Sequence, residues 1–273
     1  MKFDFDAQYF NPLHTLDCGQ IFRFEPYQDG YKVFSADKVC YVHTDGNKTV
    51  VESEDCDYFY DYFDLNRDYS QIVNKATSYG IPLLTRSAQS CKGLRILHQN
   101  REEMIYSFII SQNNNIPRIK GIIGRICDGL GEKRQSPFGE YRTFPSSSTL
   151  AGADAEFYHT AGAGYRDRYI KDTAVKICAE GIARLESLDG EQLKCELLKY
   201  NGIGPKVADC IALFGFNKTD SFPVDTWIEK IYHEDFNGTL KDRKKIAEYL
   251  KNQFGEYSGY VQQYLFYGKR INL

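Results

Sequence analysis

The period of the apolar positions changes along the chain. Between about residues 18 and 65 the segments GQIFRFEPY, GYKVFSA, KVCYVHT and KTVVESE read as strands, with Asp29-Gly30 and Asp45-Gly46 between them as turn residues. They predict an antiparallel sheet whose last member is the aromatic run from Tyr58 to Leu65. From Tyr69 the period becomes helical: one helix runs to Tyr79, ended by Gly80 and Pro82, and helix resumes through residues 83–99. Asn100 then caps a further helix, with Glu103 in place to close a capping box. The run MIYSFIISQ that follows is apolar on most sides, as a buried central helix is.

Helical period returns over residues 119–131, 168–177, 190–200, 226–232, 242–255 and 259–270, whereas EKRQSPFGEYRTFPSSST (132–149) reads as a loop. The expected fold is α+β. An N-terminal antiparallel sheet domain over residues 1–82 packs on a mostly helical domain over 83–273, which contains a helix, a hairpin and a helix at 190–216.

With 273 residues, 42% of them hydrophobic and 15% aromatic, the chain can bury a substantial core, and no apolar run reaches the length of a membrane span. The acidic start MKFDFDAQYF is neither a signal nor a transit peptide. The expectation is a soluble intracellular protein, in the cytoplasm or nucleoid of a bacterium or the nucleus of a eukaryote. Eight cysteines are scattered without any CxxC, which favours free thiols over a disulfide framework or a zinc site. A net charge of −3 argues against a nucleic-acid partner until the chain is divided. Residues 1–80 hold 7 Lys+Arg against 14 Asp+Glu, which leaves 27 against 23 for residues 81–273. A phosphate-binding face therefore belongs to the C-terminal two-thirds.

Chemistry concentrates in KYNGIGPKVADCIALFGFNKTDSFPVDTWI (199–228). Its glycines permit positive φ or close backbone approach, and Pro205 suits the first turn of a new helix. The hairpin Asn201, Gly202, Ile203, Gly204 would bare backbone N–H groups at a helix N-terminus, which is an anion site. Without a Walker lysine-serine pattern the anion is a nucleic-acid phosphate, although a plain αα-corner uses the same glycines. Lys206 falls in the first turn of the second helix with Cys210 on its face, and Asp225 follows a proline-restricted bend. A surface lysine and an N-cap aspartate are the ordinary uses of these two residues. Together they have a sharper one. A lysine amine shielded from water has its pKa lowered and can form a Schiff base at a sugar C1′, and a nearby carboxylate stabilises the positive sugar as its base departs.

GIGPKVADC followed by FPVD resembles the active-site signature of the helix-hairpin-helix DNA glycosylases, and among them most closely the 8-oxoguanine DNA glycosylase/lyases. The resemblance implies a monomeric base-excision repair enzyme acting on double-stranded DNA that contains oxidised guanine, preferably opposite cytosine. Lys206 would be the nucleophile and Asp225 its electrostatic partner. It implies no required cofactor, with an alkali or alkaline-earth ion on the hairpin carbonyls. The lack of any cysteine after Cys210 separates the chain from relatives with a C-terminal iron–sulfur cluster.

Further matches carry further implied roles. In DCGQIFRF (17–24) the carbonyl of Gly19 would accept a hydrogen bond from N7–H, a proton that 8-oxoguanine has and guanine lacks. In QNNNIPRI (112–119) Asn113 would fill the gap left by a flipped base and Arg118 would bond the orphaned cytosine. In AGAGYRDRY (161–169) Tyr165 would be the wedge and Arg166 a second reader of cytosine. In GYVQQYLFYGKR (259–270) Gln262 would address the Watson–Crick edge of the flipped purine, with Phe266 stacked on one side and Cys210 on the other. Each residue also has a plainer use, as turn glycine, loop asparagine, buried tyrosine, surface arginine, core phenylalanine or exposed glutamine.

Two positions depart from eukaryotic members of the family: Trp227 stands where they have histidine, and Gln112 where they have serine. Two rival readings follow from subsets of the same residues. An alkylated-purine glycosylase shares the hairpin and the aspartate but generally lacks the lysine and the Gly19 and Phe266 constellation. A non-catalytic DNA-binding protein needs only the glycines.

Overall fold

A computed structural model describes all 273 residues. Five strands, β1 (Lys2–Asp6), β2 (Phe24–Tyr27), β3 (Gly30–Ser35), β4 (Lys38–Asp45) and β5 (Lys48–Ser53), form one antiparallel sheet in the order β1-β5-β4-β3-β2. Two of the three hairpins between β2 and β5 are the ones that Asp29-Gly30 and Asp45-Gly46 announce; the third turns at Ala36-Asp37. The edge beyond β5 is a different matter. It is taken by β1, with Lys2 opposite Glu52 and Asp6 opposite Lys48. The alternation KFDFD puts Phe3 and Phe5 against the sheet core and the aspartates outside.

The aromatic run expected as the last strand is instead the helix Cys56–Tyr62. Its large side chains recur three and four apart, so Phe59, Tyr62 and Phe63 fall together and are buried, which an alternating strand would not achieve. The segment Gly19–Arg23 is not strand either. Buried glutamines hold its backbone in place of a ladder: Gln263 Nε2 donates to the Cys18 carbonyl (2.6 Å) and Gln99 Nε2 to the Gln20 carbonyl (2.8 Å).

Helix after Pro82 stops at Ser90 rather than at 99. The following residues thread between the sheet and the helical body, and the fully buried Arg95 donates to the carbonyls of Tyr9, Phe63 and Arg67. Residues 133–142, expected as loop, form a second hairpin, β6 (Lys133–Ser136) and β7 (Gly139–Arg142), with the turn Pro137-Phe138 and Gly139 at φ +99°. The hairpin is almost wholly polar, so hydrophobic period does not announce it. Tyr141 ties it to the sheet by donating to the Asp37 carbonyl (2.8 Å).

Asn100 does cap the helix Arg101–Ser111, accepting from the Glu103 N–H (3.0 Å). Glu103 does not close the capping box. Its carboxylate turns away to accept from Arg23 (3.1 Å) and from the Ala36 N–H (2.7 Å), a buried ion pair that joins sheet to helices.

Two apolar clusters result. The smaller lies under the sheet and includes Phe10, Val42, Phe59 and Leu97. The larger fills the helical body and takes in Tyr69, Ile72, Val73 and Ala76. The helix Tyr69–Ser78, expected in the sheet unit, therefore packs with the helical one. At its centre the helix Pro205–Phe216 is buried from Val207 onward and rests on Arg101–Ser111, with Gly215 against Met104. No helix is long and apolar enough to cross a membrane.

Candidate active site

Residues 190–216 form the expected helix, hairpin and helix: Gly190–Leu197 and Pro205–Phe216 around the turn Asn201 to Gly204. A capping box on Asp189 and Gln192 fixes the start of the first helix. Gly202 has φ +81°, and a Cβ there would strike the ring of Tyr169 at 2.3 Å, so both conformation and space demand glycine. The N–H groups of Gly202, Gly204 and Val207 donate to no protein acceptor. They converge at the N-terminus of a twelve-residue helix, which suits them to a phosphate.

Lys206 is the second residue of that helix, and its side chain reaches a cavity. That cavity is lined by Cys18, Gly19, Lys206, Cys210, Asp225 and Phe266, together with Phe108, Phe214, Pro223, Gln262 and Gln263. All six residues predicted for catalysis and base binding thus meet in one place. Asp225 also caps the helix Thr226–Glu234, accepting from the Ile228 N–H (2.9 Å), so its structural use and its place in the cavity hold together.

Gln262 is buried, and its side-chain carbonyl oxygen has no partner. An unpaired buried acceptor costs about 1–3 kcal/mol, so it is a feature that calls for a donor from outside the protein. Its neighbour Gln263 also lines the cavity and donates to the Cys18 carbonyl, next to Gly19 at φ +85°. The cavity itself is about 50 Å³, small beside the roughly 300–1,000 Å³ usual for a ligand pocket. Phe266 closes it by lying over Gly19. A larger cavity of about 400 Å³ lies between the sheet, the helix Ile116–Leu130 and the β6–β7 hairpin, but it contains none of these residues.

The residues predicted to handle the duplex gather on a second stretch of surface. Asn113, at φ +46°, donates through Nδ2 to the Tyr165 hydroxyl (3.2 Å), and Tyr165 is 51% exposed. Arg118 is exposed in the first turn of Ile116–Leu130, and its guanidinium has no hydrogen-bond or ion-pair partner.

The N-terminal part of the chain, residues 2–105, matches the model of the 8-oxoguanine DNA glycosylase N-terminal domain, and residues 106–255 match that of the HhH-GPD superfamily of base-excision DNA repair proteins. The chain belongs to the 8-oxoguanine DNA glycosylase family. A probable N-glycosylase/DNA lyase of Methanothermobacter thermautotrophicus is 33% identical over 236 residues, covering 78% of this chain and 73% of that protein. The 8-oxoguanine glycosylase/lyase of Clostridium acetobutylicum, solved with double-stranded DNA containing cytosine opposite 8-oxoguanine, superposes with a TM-score of 0.90 at 36% identity, covering 96% of this chain and 92% of that one. A 3-methyladenine DNA glycosylase of Archaeoglobus fulgidus shares the fold, with a TM-score of 0.80 at 16% identity over 99% of this chain and all of that one. Fold alone therefore does not separate the two chemistries.

Within the family frame, one expected residue is placed differently. Arg166 is 2% exposed, and its guanidinium donates to the carbonyls of Gln112 (2.9 Å), Asn113 (3.2 Å) and Ala163 (3.2 Å). It braces the 112–114 loop instead of presenting itself to a base. Sequence cannot show this, because an arginine beside a tyrosine looks the same whether it faces a duplex or a backbone. Trp227 is 46% exposed one residue beyond the start of the Asp225-capped helix, and Gln112 back-bonds to the Ile109 carbonyl (3.0 Å).

The electrostatics also differ from the simplest expectation. Burial pulls the Lys206 pKa down, but the Cys210 sulfur and the Asp225 carboxylate outweigh it, so the net direction is up. Burial pushes the Cys210 thiol up to about 11, which keeps it neutral near pH 7. Lys206 is thus an ammonium in the free protein. Phe108, 5.8 Å from the ammonium by ring centroid, and Gln263 are pocket residues that sequence reasoning missed. Both sit in apolar or glutamine-rich runs where the pocket-facing member has no distinguishing neighbour.

Proposed function

We propose that the protein excises 8-oxoguanine, preferably opposite cytosine, from duplex DNA and nicks the strand by β-elimination through a Schiff base on Lys206. The observation that carries this reading is the meeting of Lys206, Asp225, Gly19, Gln262 and Phe266 in one cavity beside the hairpin. A binding module has no use for a lysine and a carboxylate at the floor of a closed pocket. An alkyl-purine enzyme of the same fold has no use for the lysine.

The hairpin N–H groups grip a phosphate, and Asn113 with Tyr165 enters the stack as the base leaves it. Unstacking costs about a few kcal/mol, which the wedge and pocket contacts offset. Phe266 swings off Gly19 to admit the purine, whose N7–H then finds the Gly19 carbonyl and whose Watson–Crick edge satisfies Gln262. Lys206 must shed a proton before its lone pair attacks C1′. The departing base, which leaves with an electron pair, is the acceptor at hand, so that the Asp225 carboxylate stays ionised. As the C1′–N9 bond breaks, its electron pair leaves with the base and Asp225 stabilises the positive sugar. Ring opening gives the Schiff base, and loss of a C2′ proton expels the 3′ phosphate.

The carbonyls of Asn201, Gly202 and Ile203 accept no hydrogen bond. Such hard oxygen donors suit an alkali or alkaline-earth ion that would steady the hairpin. Replacing Lys206 by glutamine is expected to abolish both excision and nicking of an 8-oxoguanine duplex. Retention of nicking would remove the lysine from the mechanism.

A further inference from the structure

The first two turns of the helix Arg166–Glu180 touch the 112–113 loop, the wedge and the hairpin. Arg166 holds the carbonyls of Gln112 and Asn113, and Tyr165, its N-cap, meets the Asn113 side chain. One turn on, the ring of Tyr169 lies edge to face with Tyr165, with centroids 5.9 Å apart and planes at 77°. The same ring is the surface on which Gly202 sits, since a Cβ on that glycine would be 2.4 Å from Tyr169 Cγ. A little further, Asp172 accepts from Asn201 Nδ2 (2.8 Å) and pins the hairpin from the side.

Resting on the function proposed above, we infer that Tyr169 is a positioning residue for base flipping, the packed contact through which the hairpin's hold on the backbone sets the height of the Tyr165 and Asn113 wedge. Tyr169 lines two open grooves, one along the hairpin and one beside Tyr165. Its hydroxyl makes no bond within the protein, so the ring carries the coupling. Contacts of this kind have two consequences. A phosphate seated on the hairpin presses through Gly202 onto Tyr169, and the wedge cannot drop away from the stack while that ring is in place. Flipping a paired base needs this alignment; an abasic sugar, with no base to unstack, needs it far less.

The test compares two reactions of the full chain. One is single-turnover excision from a duplex with 8-oxoguanine paired to cytosine, and the other is borohydride trapping on an abasic duplex, both at saturating protein. Tyr169→Ala is expected to slow excision by roughly 10-fold to 100-fold, the scale of a misplacement of about an ångström, and to leave trapping within a few-fold of wild type. Tyr169→Phe keeps the ring and is expected to match wild type in both. Tyr169→Leu, which keeps bulk under Gly202 but loses the edge-to-face contact, serves where the alanine variant fails to fold, and it is expected to show the same split. Equal loss in both reactions, or no loss in either, overturns the inference. A wild-type protein that neither excises nor traps would instead overturn the proposed function, which keeps the two failures apart.

Discussion

The ring of Phe266 rests on Gly19: a Cβ built on that glycine would lie 3.2 Å from Phe266 Cε1. The proposed lesion reader and the proposed stacking residue are therefore in contact, and a base bound between them would have to part them. Gly19→Ala combines this close contact with a backbone at φ +85°, a strain of about 1–3 kcal/mol for a residue with a side chain. Excision of 8-oxoguanine is expected to fall about tenfold or more, while borohydride trapping at an abasic site, which fills no base pocket, changes little. Equal loss in both assays would show that Gly19 serves the fold and not the base.

Because Cys210 and Asp225 hold the Lys206 pKa above its ordinary 10.5, the attacking amine is the minor form at neutral pH. Its share grows about tenfold per pH unit, so the logarithm of the single-turnover excision rate is expected to rise with a slope near one between about pH 6 and 9. A flat or falling profile would contradict the assignment. The raised pKa also stabilises the folded state below the ordinary value and ceases to do so as pH climbs through the folded one. Melting temperature should accordingly decline on the alkaline side.

Arg118 and Arg166 are expected to behave differently on replacement by alanine. Arg118 has no protein partner, so its loss should relax the preference for cytosine and leave the melting temperature unchanged. Arg166 is buried on three carbonyls, and its loss should lower the melting temperature and slow excision opposite all four bases alike. Selective loss of cytosine preference in the Arg166 variant, without destabilisation, would restore it as a reader.

The Arg23–Glu103 pair joins the sheet to the helical body at 8% and 3% exposure. Glu103→Gln leaves a buried guanidinium without its counter-charge and is expected to cost about 3–5 kcal/mol in urea unfolding. A cost under about 1 kcal/mol would mean that the pair behaves like a surface one.

Most of the helical body was legible from sequence because its signals are local. Pro205, Asp225 and Asn100 mark helix starts by chemistry that acts within one turn, and the lysine opens, and the aspartate follows, a helix that the apolar period defines. The errors share a cause in long-range structure. Glu103 carries the mark of a capping box but is claimed by Arg23, 80 residues away. Gly19 to Arg23 has the composition of a strand but is held by Gln99, just before the helix Arg101–Ser111, and by Gln263 from the last helix. Arg166 reads as a cytosine reader by resemblance or as a plain surface arginine, and only the fold shows three carbonyls waiting for it. β1 is the exception, since the alternation KFDFD is a local strand signal within the acidic start.

Trp227 is the single tryptophan of the chain and stands 46% exposed beside Asp225. If duplex DNA covers the mouth of the pocket, saturating DNA should quench its emission and reduce its access to acrylamide. Unchanged emission would place the duplex elsewhere.

The most direct test of the central claim is borohydride trapping on duplexes that carry 8-oxoguanine opposite each of the four bases. The account predicts a covalent complex strongest opposite cytosine and absent in Lys206→Gln. A complex that forms equally well in the Lys206→Gln protein, or none with 8-oxoguanine in the wild type, would contradict it.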